Sequence, residues 1–250
     1  MARVDLDGLP PALLARRWGV PHVAIHRSLP STLDAIHTVA ANSGRAGTVV
    51  LAEEQTAGRG RDGRTWHSGL GGAWLAMLFR PRRAEMVAVS IRAGLVLADA
   101  VDDLLGAART QVKWPNDVLL DGRKLAGVLC EGRWQGDELQ WLAVGVGVNV
   151  CNPIAAELAG GAVALGEMLS DVRRIDLLDR LVPGLTRIAT HAGELTEPEC
   201  AAFAARDALR GRQLLAPLPG RAVGIRPDGA LRIEGNHGTT AVREGHVELA

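Results

Sequence analysis

The 250-residue sequence predicts an α/β (α+β) fold, a mixed sheet flanked by helices with a small β-barrel at the C-terminus. Three observations carry that expectation. Short apolar, β-branched runs recur at 48–52, 72–79 and 139–150, the length and composition of buried strands. Residues 85–105 place apolar side chains at helical spacing and read as a scaffold helix. From about Gly211 the pattern changes to short strands separated by turn signals, Arg226-Pro227-Asp228-Gly229 and Gly235-Asn236-His237-Gly238. The chain therefore divides into a large domain over residues 1–208 and a small one over 209–250.

Composition excludes several classes of function. Twenty-eight Lys plus Arg balance 28 Asp plus Glu, so nothing marks a nucleic-acid or acidic-membrane binder. There is no Tyr and there are two Phe, too few for stacking platforms along a single strand. Of the six Trp, Trp18 and Trp141 read as core and Trp66 as a ligand contact. Cys130, Cys151 and Cys200 are far apart and read as reduced, mostly buried thiols of a cytoplasmic protein. No run reaches the length of a membrane span, and the start Met1-Ala2-Arg3-Val4-Asp5 lacks a signal-peptide core. The seven His are dispersed without an H-E-x-x-H pattern, so no metal site is expected.

In chain order, a short helix is expected over 12–18 and a strand at 23–25. Ser31 or Thr32 then caps a helix running to about Ala41. A strand at 47–53 leads into an arginine-rich loop, and a strand at 72–79 pairs back towards it. Arg80, Arg82 and Arg83 read as a solvated turn before the long helix. Asp121-Gly122 between two apolar runs is a hairpin signal that lets Lys113, Asn116, Asp117 and Lys124 converge. Pro115 marks an irregularity or a strand start in the first run. In the strand at 139–150, Gly145 and Gly147 imply close backbone approach, and Asn149 needs a polar partner from backbone or ligand. Helices follow near 163–169, 177–191 and 199–209.

The chemistry concentrates in Gln55-Thr56-Ala57-Gly58-Arg59-Gly60-Arg61-Asp62-Gly63-Arg64-Thr65-Trp66. Three glycines let backbone N–H groups approach a ligand, and three guanidinium forks match carboxylate and phosphate oxygens. The expected guest is an anion carrying both groups; the competing reading is a solvated loop with no ligand. Gly58, Gly60 and Gly63 satisfy the dinucleotide fingerprint G-x-G-x-x-G, but that motif should open an apolar helix. Here Arg64-Thr65-Trp66-His67-Ser68-Gly69 follows, which disfavours a Rossmann oxidoreductase.

Four separated motifs, Ser31-Thr32, Gln55 through Trp66, Lys113-Trp114-Pro115-Asn116-Asp117 with Arg123-Lys124-Leu125-Ala126-Gly127, and Gly145-x-Gly147-x-Asn149, agree in order and spacing with one family. In this the chain resembles the biotin protein ligases over about residues 25–150. The resemblance implies a catalytic domain related to class II aminoacyl-tRNA synthetases and an SH3-like C-terminal domain. With only thirty residues before Ser31, the chain resembles members without a DNA-binding domain. Gly71-Gly72-Ala73-Trp74-Leu75 departs from the asparagine-aromatic version of many bacterial members and leaves Trp74 without a role.

The resemblance implies activation of biotin by MgATP to biotinyl-5′-AMP, then transfer to a lysine of a biotin carboxyl carrier domain. It implies no nucleic-acid or membrane partner, and assembly as monomer or dimer with a lean towards a homodimer. By the same resemblance Ser31, Thr32, Gln55, Gly58, Arg59, Arg61, Lys124 and Gly127 hold biotin. Arg61 and Arg64 order over the adenylate, Trp66 stacks on adenine, and Asn116 and Asn149 contact the nucleotide. Lys124 meets the carboxylate and α-phosphate as the leading catalytic group, with Arg61 also catalytic and Lys113 as a supporting cation. Asp117 either orients Lys124 or assists proton removal from the incoming lysine. Arg221, Arg226 and Arg232 are all candidates for a barrel residue that reaches the adenylate. A lipoate or octanoate ligase or transferase on the same scaffold is the nearest alternative, and a non-catalytic biotin or nucleotide sensor the next.

Overall fold

A computed structural model describes residues 4–81, 84–189 and 191–250. Helix α1 (Pro11–Trp18) starts on a proline and stops at Gly19, whose φ of 68° is the left-handed helix stop that glycine adopts without strain. β1 (Val23–Leu29) leads to α2 (Thr32–Ala41), where Ser31 caps the first turn by accepting from the Leu33 amide at 3.3 Å. β2 (Val49–Gln55) and β3 (Ala73–Phe79) flank the arginine loop. Helix α3 (Met86–Leu105) precedes four antiparallel strands, β4 (Thr110–Lys113), β5 (Asp117–Leu120), β6 (Arg123–Gln135) and β7 (Glu138–Val148). Helices α4 (Arg174–Ile188) and α5 (Glu197–Arg206) follow. The chain ends in β8 (Gln213–Ala216), β9 (Gly220–Ile225), β10 (Leu231–Gly235), β11 (Gly238–Val242) and β12 (Glu248–Leu249).

The large sheet runs β1-β2-β3-β7-β6-β5-β4, with β1 and β2 parallel and the other pairs antiparallel. Side chains alternate across it. Leu75, Met77 and Phe79 of β3 and Val144 and Val146 of β7 face one side, where α3 and α4 complete the main core. Val50, Ala76, Leu78 and Ala143 face the other, under Leu33 and Ile36 of α2. Helix α2 covers only the β2, β3 and β7 part of that second face, and the remainder is the floor of a cavity.

The C-terminal strands form a second, five-stranded antiparallel sheet, β11-β10-β9-β8-β12. It shares one core with the large sheet: Leu214, Ala222, Leu231 and Ile233 belong to the same buried cluster as Val112 and Phe79. Trp114 Nε1 donates to the Gly229 carbonyl at 2.8 Å, and the Ala208 amide to that of Val112 at 3.1 Å.

Several expectations are corrected. Residues 163–169 hold only a 3-10 turn at Leu165–Glu167. The Leu165 and Gly166 amides bond the carbonyls of Asn149 and Val150 at 3.1 and 2.7 Å, which ties this turn to the exit of β7. The run 111–120 is two strands, broken at Trp114-Pro115-Asn116 with a cis Trp114–Pro115 peptide. Arg80 is exposed as expected but is not idle, since it donates to the carbonyls of Ala40, Gly44 and Gln140 and lies over Trp141; Arg82 and Arg83 fall outside the described residues. Cys151 is exposed, whereas burial pushes the Cys130 thiol up to about 12.

Candidate functional site

The cavity on the second face holds about 570 Å³, within the usual range for ligand sites. One row of cross-strand partners runs from Trp74 on β3 to the cavity floor, which Gly147 on β7, Gly127 on β6, Asp117 on β5 and Lys113 on β4 line. All share a face because side chains alternate along a strand. The two central glycines make a flat slot in which the Trp66 indole lies. A Cβ at Gly147 would fall 2.5 Å from Trp66 Nε1, and one at Gly127 3.3 Å from Cζ3. Buried Trp74 meets Trp66 edge-on at 6.4 Å and donates from Nε1 to the Gly69 carbonyl, so its role is to buttress Trp66. Trp66 Nε1 is buried without a hydrogen-bond partner.

At one end the wall is polar and neutral. Ser31 and Thr32 are buried, and Gln55 Oε1 accepts from Thr32 N and Oγ1 at 2.8 and 3.0 Å. Gln55 Nε2 donates to Ser68 Oγ at 2.8 Å, and that hydroxyl donates to the Trp66 carbonyl at 3.1 Å, which fixes the amide's orientation. Ser31 therefore acts both as helix cap and as cavity wall.

At the other end the wall is cationic. Lys124 Nζ lies 2.8 Å from Asp117 Oδ1 and 5.1 Å from the Trp66 ring centroid. Lys113, Arg61 and Arg64 also line the cavity, and among the described residues none of the three forms an ion pair. The loop carrying the arginines is a small closed turn: Trp66 N bonds the Gly58 carbonyl at 2.9 Å and Gly60 N that of Arg64 at 2.8 Å. Asp62 and Gly63 at its tip have φ of 56° and 71°. Arg59 lies between Asp34 and Glu131. Burial works against its charge, and the two carboxylates outweigh this and hold its pKa above the ordinary arginine value.

Most of the expected site thus converges: Ser31, Thr32, Gln55, Arg59, Arg61, Arg64, Trp66, Lys113, Asn116, Asp117, Lys124 and Gly127 all border this space. Asn116 Nδ2 donates to the Val128 carbonyl at 2.9 Å, which ties its amide to β6. Two expected residues lie off the wall. Gly58 is needed at the neck of the loop, where a Cβ would be 2.4 Å from the Trp66 carbonyl oxygen. Asn149 is buried, and its Oδ1 accepts from Asn152 Nδ2 at 3.0 Å. Arg221, Arg226 and Arg232 are absent from the wall too; Arg221 pairs with Glu234 and Arg226 approaches Asp228. Arg212 and His246 line the cavity instead, and only the docking of the second sheet brings them there, so no local motif marks them.

A model of the Biotin/lipoate A/B protein ligase family matches residues 27–149, which encloses the neutral wall, the loop and the floor. The bifunctional ligase/repressor BirA of Bacillus subtilis (strain 168) is 30% identical over 241 residues, spanning 91% of this chain and 74% of its own. The biotin--[acetyl-CoA-carboxylase] ligase of Paracoccus denitrificans is 42% identical over 146 residues, 55% of this chain and 61% of its own. Among solved structures, biotin protein ligase from Aquifex aeolicus in complex with biotin and ATP has the same fold, with a TM-score of 0.75 at 24% identity over 91% of this chain and 99% of that one. Likeness over nearly the whole chain, and a family match over the part that builds the cavity, agree that this chain belongs to the biotin/lipoate A/B protein ligase family.

Proposed function

We propose that this chain is a biotin protein ligase, which joins biotin to ATP as biotinyl-5′-AMP and then to a carrier lysine. The observation that carries this reading is the division of one cavity into a neutral hydrogen-bonding end and a cationic end. Ser31, Thr32 and Gln55 suit an uncharged ureido head. The cations suit a carboxylate meeting a triphosphate.

In the first step a biotin carboxylate oxygen bonds the α-phosphorus as the bond to pyrophosphate breaks. In the second the carrier amine attacks the acyl carbon, AMP leaves and the amine gives up a proton. Charge develops on phosphate and carbonyl oxygens in both, so positioned cations supply most of the rate. Lys124 would bridge carboxylate and α-phosphate, with Asp117 orienting it at 2.8 Å. Lys113 and Arg64 would face the phosphates, and the loop with Arg61 would close over the adenylate and exclude water. Trp66 would offer its ring to adenine, and Asn116 Oδ1, which accepts no hydrogen bond among the described residues, a polar contact.

The wall carries Asp117 and the loop-tip Asp62 as its carboxylates, which fits a Mg²⁺ that arrives on the nucleotide and neutralises triphosphate charge. Among the described residues no three His, Cys, Asp or Glu gather as a metal-ligand set, and no helix is long and apolar enough to cross a membrane. The proposed partner is a biotin carboxyl carrier domain in the cytoplasm, with no nucleic acid and with a homodimer as the assembly to test. The proposed division remains 1–208, of class II synthetase type, and 209–250, of SH3-like type.

The test is biotin-dependent exchange of pyrophosphate into ATP, with lipoate and octanoate run beside it. Exchange with biotin alone is expected. Exchange with lipoate instead would move the chain to the neighbouring branch of the family, and binding without exchange would make it a sensor.

A further inference from the structure

Arg59 differs from the other cations of the cavity in meeting two carboxylates. Its Nη1 lies 2.8 Å from Asp34 Oδ1, and its Nη2 lies 3.4 Å from both oxygens of Glu131. Glu131 in turn receives His37 Nε2 at 2.9 Å. The hydrogen bond from His37, more than the charge of Arg59, holds the Glu131 carboxyl below the ordinary glutamate range against the cost of burial. His37 Nδ1 lies 2.9 Å from Trp141 Nε1. An indole nitrogen can only donate, so Nδ1 is the acceptor and the ring hydrogen sits on Nε2, directed at Glu131. Asp34 and His37 are one turn apart on α2, while Glu131 is on β6 and Trp141 on β7. None of these four borders the cavity, but Arg59 does.

We propose that Glu131 and Asp34 are positioning residues for Arg59, and that His37, its tautomer set by Trp141, locks Glu131 in that task. The proposal rests on the reading of this cavity as a biotin site. A guanidinium whose charge is more than answered by two carboxylates presents no net positive field, which suits the neutral part of the ligand, whereas Arg61, Arg64 and Lys113, without an ion pair among the described residues, suit phosphates. Holding the long side chain in place before the ligand arrives removes the ordering cost from binding. The network thus sets affinity for biotin and leaves the chemical step alone.

The experiment is pyrophosphate exchange with separate KM values for biotin and ATP. Glu131→Gln and Arg59→Met should each raise the biotin KM by about tenfold, with kcat and the ATP KM within about twofold, and the double variant should be no worse than the poorer single one, because residues of one network do not add. His37→Leu should raise the biotin KM by roughly 3- to 10-fold, and His37→Gln should restore it to within about twofold, since its carboxamide can donate to Glu131 and accept from Trp141. Imidazole nitrogen resonances of the free protein should report the Nε2–H tautomer at His37. A biotin KM unmoved by His37→Leu, additive losses in the cycle, or the Nδ1–H tautomer would each overturn the proposal. If Glu131→Gln does not fold, the His37 pair decides by the same readout. Wild-type protein that exchanges with no acid would sink the reading of the site, and the tautomer would still judge the network.

Discussion

The Lys124 ammonium lies 2.8 Å from the Asp117 carboxylate and 5.1 Å from the centroid of the Trp66 ring, and a nucleotide would compete for both contacts. Adenine can stack on the outer face of Trp66 only if the ammonium leaves that face, and an α-phosphate is the group that would draw it away. Lys124→Ala should therefore lower biotin-dependent exchange by about 10²–10³, the usual loss for one charge-stabilising donor, while biotin still binds in calorimetry. A near-normal rate would remove Lys124 from the mechanism. Trp66→Ala should weaken ATP by about 1–3 kcal/mol if the ring stacks on the base. Unchanged ATP affinity in the same titration would make the indole a filler of the Gly127–Gly147 slot.

The arginine loop is an element in its own right, closed at Gly58 and tipped by two residues with left-handed backbone. Arg61→Gly should leave a folded enzyme that releases biotinyl-AMP early; retention equal to wild type on rapid gel filtration would refute the clamp. This loop was legible because it is built from residue types at fixed spacing, glycines where the chain turns and arginines that the closed turn carries to the cavity wall. The β5–β6 hairpin was legible for the same reason, Asp121 and Gly122 having φ of 49° and 78° as such a turn requires. The segment 163–169 was misread because its apolar residues answer to the exit of β7 and not to each other. Asn149 was an intermediate case: sequence told that it needs a partner, but only the fold supplies Asn152.

At the scale of the whole molecule the charge balance hides a directional pattern. Asp121, Glu131, Asp176 and Asp228 all have carboxyls held below their ordinary values of 3.8 or 4.5, by Arg109, by His37, by Arg173 and, against the cost of burial, by Arg243. Each binds its proton less readily folded than unfolded, so its contribution is complete above the unfolded value and is lost as pH falls through the folded one. Asp207, raised by burial, works the other way. Thermal unfolding should be level from about pH 8 to 6 and its midpoint should fall below about pH 4.5; a midpoint flat to pH 3 would show these pairs to be energetically idle. The site, too, is a property of the whole. Arg212, between α5 and β8, and His246, before β12, reach the cavity wall only because Trp114, Ala208 and a common core fix the second sheet against the first. Neither forms an ion pair among the described residues, so both are open to anionic oxygens of the nucleotide. Arg212 is exposed, which limits its pull through screening, and Arg212→Ala should raise the ATP KM by roughly 3- to 10-fold at low salt and less at high salt. The biotin dissociation constant should not change. An ATP KM equal to wild type at both ionic strengths would confine the catalytic charges to the large sheet and its loop, and would leave the second sheet the work of closing the cavity wall.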